Sequence, residues 1–498
     1  MLFNSIQFLI FFPVVILFYF VIPEKIRYLW LLFVSYFFYM CWNAKYALLI
    51  LFSTVITYFS GLIIEKIKAQ KWEDRKIIKY KKYCVIGSFI LNLAILFWFK
   101  YLEFMILNLN RMLNVFHFEI HIPTIDIILP VGISFYTFQA LSYTMDIYRD
   151  KIHAERNPFR YALFVSFFPQ LVAGPIERSE NLLRQLKIPT RFSVKNAEYG
   201  LLTMAYGVFL KVVVADNLSL LIDPVYYNTN DSSTIALTTG MILFAFQVYC
   251  DFQGYTQIAI GSARILGFQL NENFNSPYLA KSIKDFWGRW HISLTSWFRD
   301  YLYIPLGGNR KGKFRKQINT MLVFLCSGLW HGASWHYVIW GGANGIFSVL
   351  EDVLKPYYHK MIARLKINER NVLWKGFRTI VTFAMIDLTW LFFRVNSFRE
   401  GIGILKRIFV EFRIKWFISS GFFNVFGTTY NFMIIAVSLL CVIIIDILNY
   451  NGIDVRKIIF RQQIIFRWII YWMIYLIIIY WGVYGTGYEQ TQFIYFQF

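Results

Sequence analysis

Long polar stretches are what this sequence has least of. Across 498 residues only 16% are charged, against 57% hydrophobic and 20% aromatic, at a mean hydropathy of +0.48. A water-soluble globular domain does not carry that balance, so a polytopic membrane protein is what remains. Acidic residues are scarce beside basic ones, 29 against 50, giving a formal charge of +21. The excess does not point to nucleic acid, because Lys and Arg fall between apolar segments rather than along one soluble face. That is the distribution of cytoplasmic loops facing anionic headgroups, and membrane lipid is the partner it implies. Cysteine is sparse as well. Cys41, Cys84, Cys250, Cys326 and Cys441 stand singly with no CxxC spacing, and argue neither for a disulfide framework nor for a metal site. No G-x-S-x-G elbow or similar serine-nucleophile signature is present, and the two halves show none of the inverted repetition that transporters carry. The first apolar segment, NSIQFLIFFPVVILFYFVIP, lacks a basic leader and a small-residue cleavage site, and is expected to be a retained span.

At roughly 20 apolar residues per crossing, the hydrophobic segments allow about ten to twelve spans. The expected fold class is therefore all-α, an integral membrane protein of transmembrane helices with re-entrant and interfacial helices. One membrane domain is expected over 1–498, with N-terminal spans in 1–148, a core in 149–350 and C-terminal spans in 351–498. Eight Lys or Arg between positions 65 and 82 put that loop in the cytoplasm. Counting back three crossings places the N-terminus outside. DPVYYNTNDSS, from residue 223, has no Lys or Arg and is expected outside, as is the C-terminal tail. Spans are expected near 83–101 and 127–148. YALFVSFFPQLVAGP, 161–175, is too short to cross and is broken by Pro169 and Gly174-Pro175, the pattern of a re-entrant piece.

Ionisable residues within this apolar background are functional candidates by default. Residues 317–350 carry His331 and His336, and histidine suits proton transfer near neutral pH. At 1.5 Å per residue His331 lies about 21 Å along from Gln317. The plainer reading is a hydrogen-bonding strut between helices. Basic flanks on both sides, including seven Lys or Arg in 355–378, point both ends of this stretch inward. Two half-length legs, each about 14–16 residues or 21–24 Å, are expected to meet near Gly332-Ala333-Ser334 with His331 at the apex. Asp251 lies in another apolar run whose small residues equally suit close helix packing. In 281–316 aromatic and basic residues alternate around His291, the pattern of helices in the headgroup plane rather than a span.

Together, ILPVGISFYTFQALSYTMDIYR, FFPQLVAGPIER, DFWGRWHISLTSWFRDYLYIPLGGNR, SGLWHGASWHYVIWGGANG and the terminal FIYFQF resemble the membrane-bound O-acyltransferase superfamily, most nearly its bacterial alginate O-acetyltransferase branch. The resemblance runs from about residue 3 to the C-terminus. It implies that His331 is the catalytic histidine and His291 the second characteristic one, with Asp251 in a supporting motif. His336 matches no position of the pattern, and Gln253 and Gln257 depart from it where a small hydroxyl residue and an acid are expected. The implied enzyme is an O-acyltransferase of the cell inner membrane. It takes an acyl group, acetyl by resemblance, from a cytoplasmic thioester such as acetyl-CoA, and moves it toward hydroxyls of an extracytoplasmic polysaccharide. No permanently bound cofactor is implied, whereas an esterase-like acetyltransferase outside the membrane is implied as partner. Arg289 and Arg299, near His291, are the candidates for the donor's phosphates. Two alternatives stay open: D-alanyl transfer of the teichoic-acid type, and a proton-coupled transporter or flippase using His and Asp as a relay.

Overall fold

A computed structural model describes residues 1–498 except 126, 173, 412, 414–424, 485–492 and 495–498. The described residues form helices and connecting turns, with no strand. In hydrocarbon each backbone N–H and C=O must be satisfied within its own segment, and the helix does this. In chain order the helices are α1 (Ile6–Val21), α2 (Arg27–Met40), α3 (Ala47–Lys68), α4 (Asp74–Leu96), α5 (Leu102–Val115), α6 (Ile133–Tyr148), α7 (Pro158–Ser166) and α8 (Phe168–Leu171). They continue with α9 (Val194–Val208), α10 (Asp216–Tyr227), α11 (Thr234–Ile265), α12 (Ile283–Trp287), α13 (Ile292–Phe298), α14 (Gly312–His331), α15 (Trp335–Arg364), α16 (Val372–Arg394) and α17 (Phe398–Glu411). Last come α18 (Thr429–Tyr450), α19 (Val455–Phe460) and α20 (Ile464–Trp481).

Among the described residues seven helical runs are long and apolar enough to cross a membrane: Ala44–Lys68, Asp74–Val115, Val194–Tyr227, Thr234–Ile265, Val372–Arg394, Thr429–Tyr450 and Ile464–Trp481, with Ile6–Val21 a shorter apolar helix. The protein is a multi-pass membrane protein. Exposed Ile465, Trp468, Trp472 and Leu476 on α20 make sense as lipid-facing side chains. Short polar side chains start several helices. Ser5 accepts the Phe8 N–H, Asn157 those of Phe159 and Arg160 ahead of Pro158, and Thr428 that of Asn431.

Two expected spans are corrected. The one near 127–148 is helical only over Ile133–Tyr148, 16 residues, and is not among the runs long and apolar enough to cross. The helix near 83–101 does not end in a loop but runs on through a π turn at Phe97–Tyr101 into α5. Leu102, Met105, Leu109, Met112 and Leu113 recur along one face, so the segment continues as an amphipathic helix although its average hydropathy is low.

The chain divides into two compact units, one of Met1–Met204 with Ile258–Asn271, the other of Ala205–Gln257 with Glu272–Gln497. In the first, α7 and α8 occupy the stretch expected to be too short to cross, and both are buried through Leu163, Phe164 and Phe168. Tyr161 donates to the Thr57 hydroxyl at 2.7 Å, and the Phe168 N–H donates to the Ser35 hydroxyl at 3.1 Å. The second unit holds every residue singled out for chemistry. Much of the connection between α17 and α18, and the tail after Tyr484 apart from Phe493 and Ile494, lie outside the described residues, and the expected outside placement of the tail falls there.

Candidate active site

The site is assembled from α14 and α15, which form a hairpin at backbone contact. A Cβ on Gly328 would lie 2.3 Å from the Tyr337 carbonyl oxygen, and one on Gly341 2.3 Å from that of Phe324. Only glycine permits that approach. The break between the legs falls at Gly332-Ala333-Ser334 as expected, but the legs are not half-length. α14 has 20 residues and α15 has 30, about 30 and 45 Å. Both run on through their basic flanks, because charge ends a hydropathic segment without ending helical hydrogen bonding.

His331 is the last residue of α14 and is 4% exposed. Its ring is enclosed edge-on by Trp330, Trp340 and Phe393, at centroid separations of 4.9, 5.0 and 5.5 Å. His336 is a different case: half-buried on α15, it meets the Ser334 hydroxyl at 3.0 Å through Nδ1.

His291 stands before α13 with φ 45° and ψ 52°, a left-handed conformation uncommon outside glycine. Its backbone is held there by a buried neighbour that sequence reading missed. Asn273 accepts the Ile292 N–H through its carbonyl at 2.9 Å, and the Ser293 hydroxyl through its side chain at 2.6 Å. The His291 ring packs edge-on against Phe252 at 4.7 Å and lies 5.9 Å from Trp330. Burial lowers its pKa to about 3, so the ring is neutral. It can accept or donate a hydrogen bond but does not supply a positive charge.

The two histidines line one cavity of about 50 Å³, together with Trp287, Trp290, Leu294 and Phe324. At about 10–15 Å³ per water in this measure, it holds about three to five waters. The indole N–H of Trp287 has no partner among the described residues. A second cavity of about 1030 Å³ abuts the same chain segment: Gly288 and Arg289 line the large one, Trp287, Trp290 and His291 the small one. Lys281, Lys284, Lys355 and Arg378 also border the large cavity, with Tyr358 and Trp374. Arg289 donates to Asp285 at 2.7 Å, and its guanidinium covers the Tyr450 ring at 4.7 Å. Arg299 instead pairs with Asp300 at 2.9 Å, exposed, and lines neither cavity.

Asp251 lies in a buried ion triad. Lys211, 1% exposed, reaches Asp251 at 2.7 Å and Asp216 at 2.9 Å, and the second oxygen of Asp251 accepts the Ile494 N–H at 2.8 Å. The neighbouring Phe493 is fully buried, 4.4 Å from Tyr255 and 5.6 Å from Phe252 between centroids. Asp251 thus fastens a C-terminal segment onto the aromatic layer that packs on His291. Lys211 and Asp216 were not singled out from sequence, although a lone lysine in GVFLKVVVAD is the signal that would have found them. Gln257, a departure from the expected pattern, still carries a network. It donates to Glu272 at 3.0 Å and accepts from Arg456 at 3.2 Å. Among the described residues no cluster of His, Cys, Asp and Glu could hold a metal.

The family model for the membrane-bound O-acyltransferase family matches residues 153–395, which contain Asp251, His291 and His331. The chain is 36% identical over 415 residues to a probable alginate O-acetylase, AlgI, of Pseudomonas aeruginosa, covering 82% of this chain and 75% of that one. It is 35% identical to a peptidoglycan O-acetyltransferase of Helicobacter pylori, over 82% and 79% of the two chains. A teichoic acid D-alanyltransferase of Bacillus subtilis is 32% identical over 49% of this chain and 64% of its own length.

Proposed function

The chain belongs to the membrane-bound O-acyltransferase family and is an O-acyltransferase, and we propose that it moves an acetyl group from a cytoplasmic thioester toward hydroxyls of an extracytoplasmic polysaccharide. The family sets the transporter reading aside. One observation carries the proposal: His291 and His331 share a cavity of acyl-group size, and a cavity of about 1030 Å³ abuts it through residues 287–291, lined by aromatic rings and by Lys281, Lys284, Arg289, Lys355 and Arg378 interspersed with Asp285, Glu351, Asp352 and Glu369.

The donor, acetyl-CoA in this reading, occupies the large cavity, where Arg289, Lys284 and Lys355 face its phosphates. The positive-inside distribution of 355–378 supports a cytoplasmic opening and a place in the cytoplasmic membrane. With the acyl carbon in the small cavity, His331 takes the proton of the incoming hydroxyl as its oxygen attacks the thioester carbonyl. The C–O bond forms, the C–S bond breaks, and the proton passes from His331 to the departing thiolate. Neutral His291 orients the thioester, and the Trp287 N–H is a donor for the developing oxyanion, which a water-poor cavity makes more effective. Asp251 acts at one remove, through the layer beneath His291.

His331→Ala is expected to lower acetyl transfer by about 10²–10⁴ in purified, folded protein, because nothing else in the small cavity replaces its proton chemistry. His336→Ala, outside that cavity, is expected to stay within a few-fold of the parent. Turnover is followed as release of free coenzyme A thiol. The opposite ranking of the two variants refutes the assignment.

A further inference from the structure

The small cavity shared by the histidines is narrow in two respects at once, size and charge. Its volume of about 50 Å³ is bounded by Trp287, Trp290, Leu294 and Phe324, and none of its lining residues is Asp, Glu, Lys or Arg. Its polar groups are the two imidazoles, the indole N–H groups of Trp287 and Trp290, and the hydroxyls of Thr295 and Ser327, and Thr295 already donates to the Trp290 carbonyl at 3.2 Å.

We infer that this cavity is the selectivity filter for the transferred group, and that it admits a short neutral acyl chain while rejecting both longer chains and aminoacyl groups. The inference rests on the transfer reaction proposed above. The roughly three to five water-sized places must take the acyl group and the attacking oxygen together, four heavy atoms for acetyl, so each further carbon is pressed against ring atoms that are packed on each other: the Trp287 ring meets Phe324 at 5.4 Å and Trp340 at 5.7 Å, and Trp290 meets Trp390 at 4.9 Å. In a well-packed apolar site one methylene is worth about 10–200-fold in turnover efficiency. An aminoacyl group fails for a different reason. Its ammonium enters a buried space with no carboxylate to receive it, and an unpaired charge there is more costly than an extra methyl. The same wall therefore separates an acetyl donor from the D-alanyl donor of the teichoic-acid relatives.

Two donors of equal heavy-atom count isolate the two effects. Propionyl- and glycyl-coenzyme A differ in a terminal CH₃ against NH₃⁺. With the full-length protein in proteoliposomes, thiol release is measured from acetyl-, propionyl- and glycyl-coenzyme A at about pH 6, where the amine is protonated. Propionyl is expected about 10–200-fold below acetyl, and glycyl lower still. The glycyl deficit narrows as pH rises through about 7.7–8.0, where an α-amino group loses its proton, while the propionyl deficit stays constant. Phe324→Ala is expected to bring propionyl within about 10-fold of acetyl and to leave glycyl rejected, since removing a ring supplies no counter-charge. Should that variant fail to fold, Val323→Ala, on the same wall, is expected to shift the propionyl-to-acetyl ratio in the same direction. Propionyl or glycyl turnover within a few-fold of acetyl in the parent protein overturns the inference, as does an unchanged ratio in the folded variants. Absence of His331-dependent release from every donor is a separate result, which refutes the transfer reaction itself and the filter with it.

Discussion

At the scale of single residues the site is built from buried polar groups and the neighbours that hold them. The triad of Lys211, Asp216 and Asp251 shows how local backbone makes this possible. In a regular α-helix residues five apart point about 140° away from each other. Lys211 lies in a π segment, Phe209–Ala215, whose i→i+5 hydrogen bonding brings Asp216 onto the lysine's face. Removing the cation should therefore be worse than removing the interaction. Lys211→Met leaves two carboxylates, each about 2% exposed, facing each other, and is expected to cost about 3–5 kcal/mol. Adding Asp251→Asn to it should recover part of that loss. Thermal unfolding in detergent measures both, and a double variant no more stable than Lys211→Met alone argues against the triad as a unit. His331, His291 and Asp251 stand out in the sequence because each sits in a motif with a distinctive composition, and the structure buries all three and brings the two histidines to one cavity. Asn273 does not stand out, since its work is backbone bonding to Ile292 and a side-chain bond to Ser293, which no local pattern announces.

At the scale of elements the α14–α15 hairpin decides the geometry of the site, because His331 ends one leg and Trp340, on the other, closes its box. The turn was legible. Basic flanks on both sides force a reversal, and Gly332-Ala333-Ser334 is where small residues allow it. Leg length was not, because amphipathic continuation beyond an apolar core leaves no hydropathic signature. Nor was the contact between legs, which depends on which glycines face inward. Gly328→Ala drives a methyl into the Tyr337 carbonyl, backbone that cannot rotate away, and is expected to cost about 1–3 kcal/mol with a matching loss of acetyl transfer. Gly342→Ala, in the facing leg, meets only Leu325 Cδ2 at 3.6 Å and should be tolerated. The pair is compared by detergent stability and turnover. Equal behaviour of the two variants rules out backbone contact as the source of the hairpin's geometry.

At the scale of the molecule the difficulty is the acceptor. The relatives include proteins named for alginate and peptidoglycan acetylation, and such acceptors are long polymers. His331 is 4% exposed in a cavity of about 50 Å³, which takes a hydroxymethyl group but not a chain of sugar rings. A polymer hydroxyl thus cannot meet the imidazole without rearrangement of the Trp330, Trp340 and Phe393 enclosure. We propose that a separate extracytoplasmic acetyltransferase of esterase type, presenting a single small nucleophile at the outer mouth and then acylating the glycan, resolves the mismatch. The expectation is testable with the chain alone in proteoliposomes, with acetyl-CoA supplied on the side of the 65–82 loop. Acetyl transfer to a small external alcohol such as glycerol should be measurable and should disappear in His331→Ala. Transfer to external polysaccharide, counted per hydroxyl, should be lower by at least about 10²-fold, because the polymer lacks access rather than reactivity. Equal acetylation of glycerol and polymer by the isolated chain removes the reason for a partner, and means that the enclosure around His331 opens far enough to admit a sugar chain.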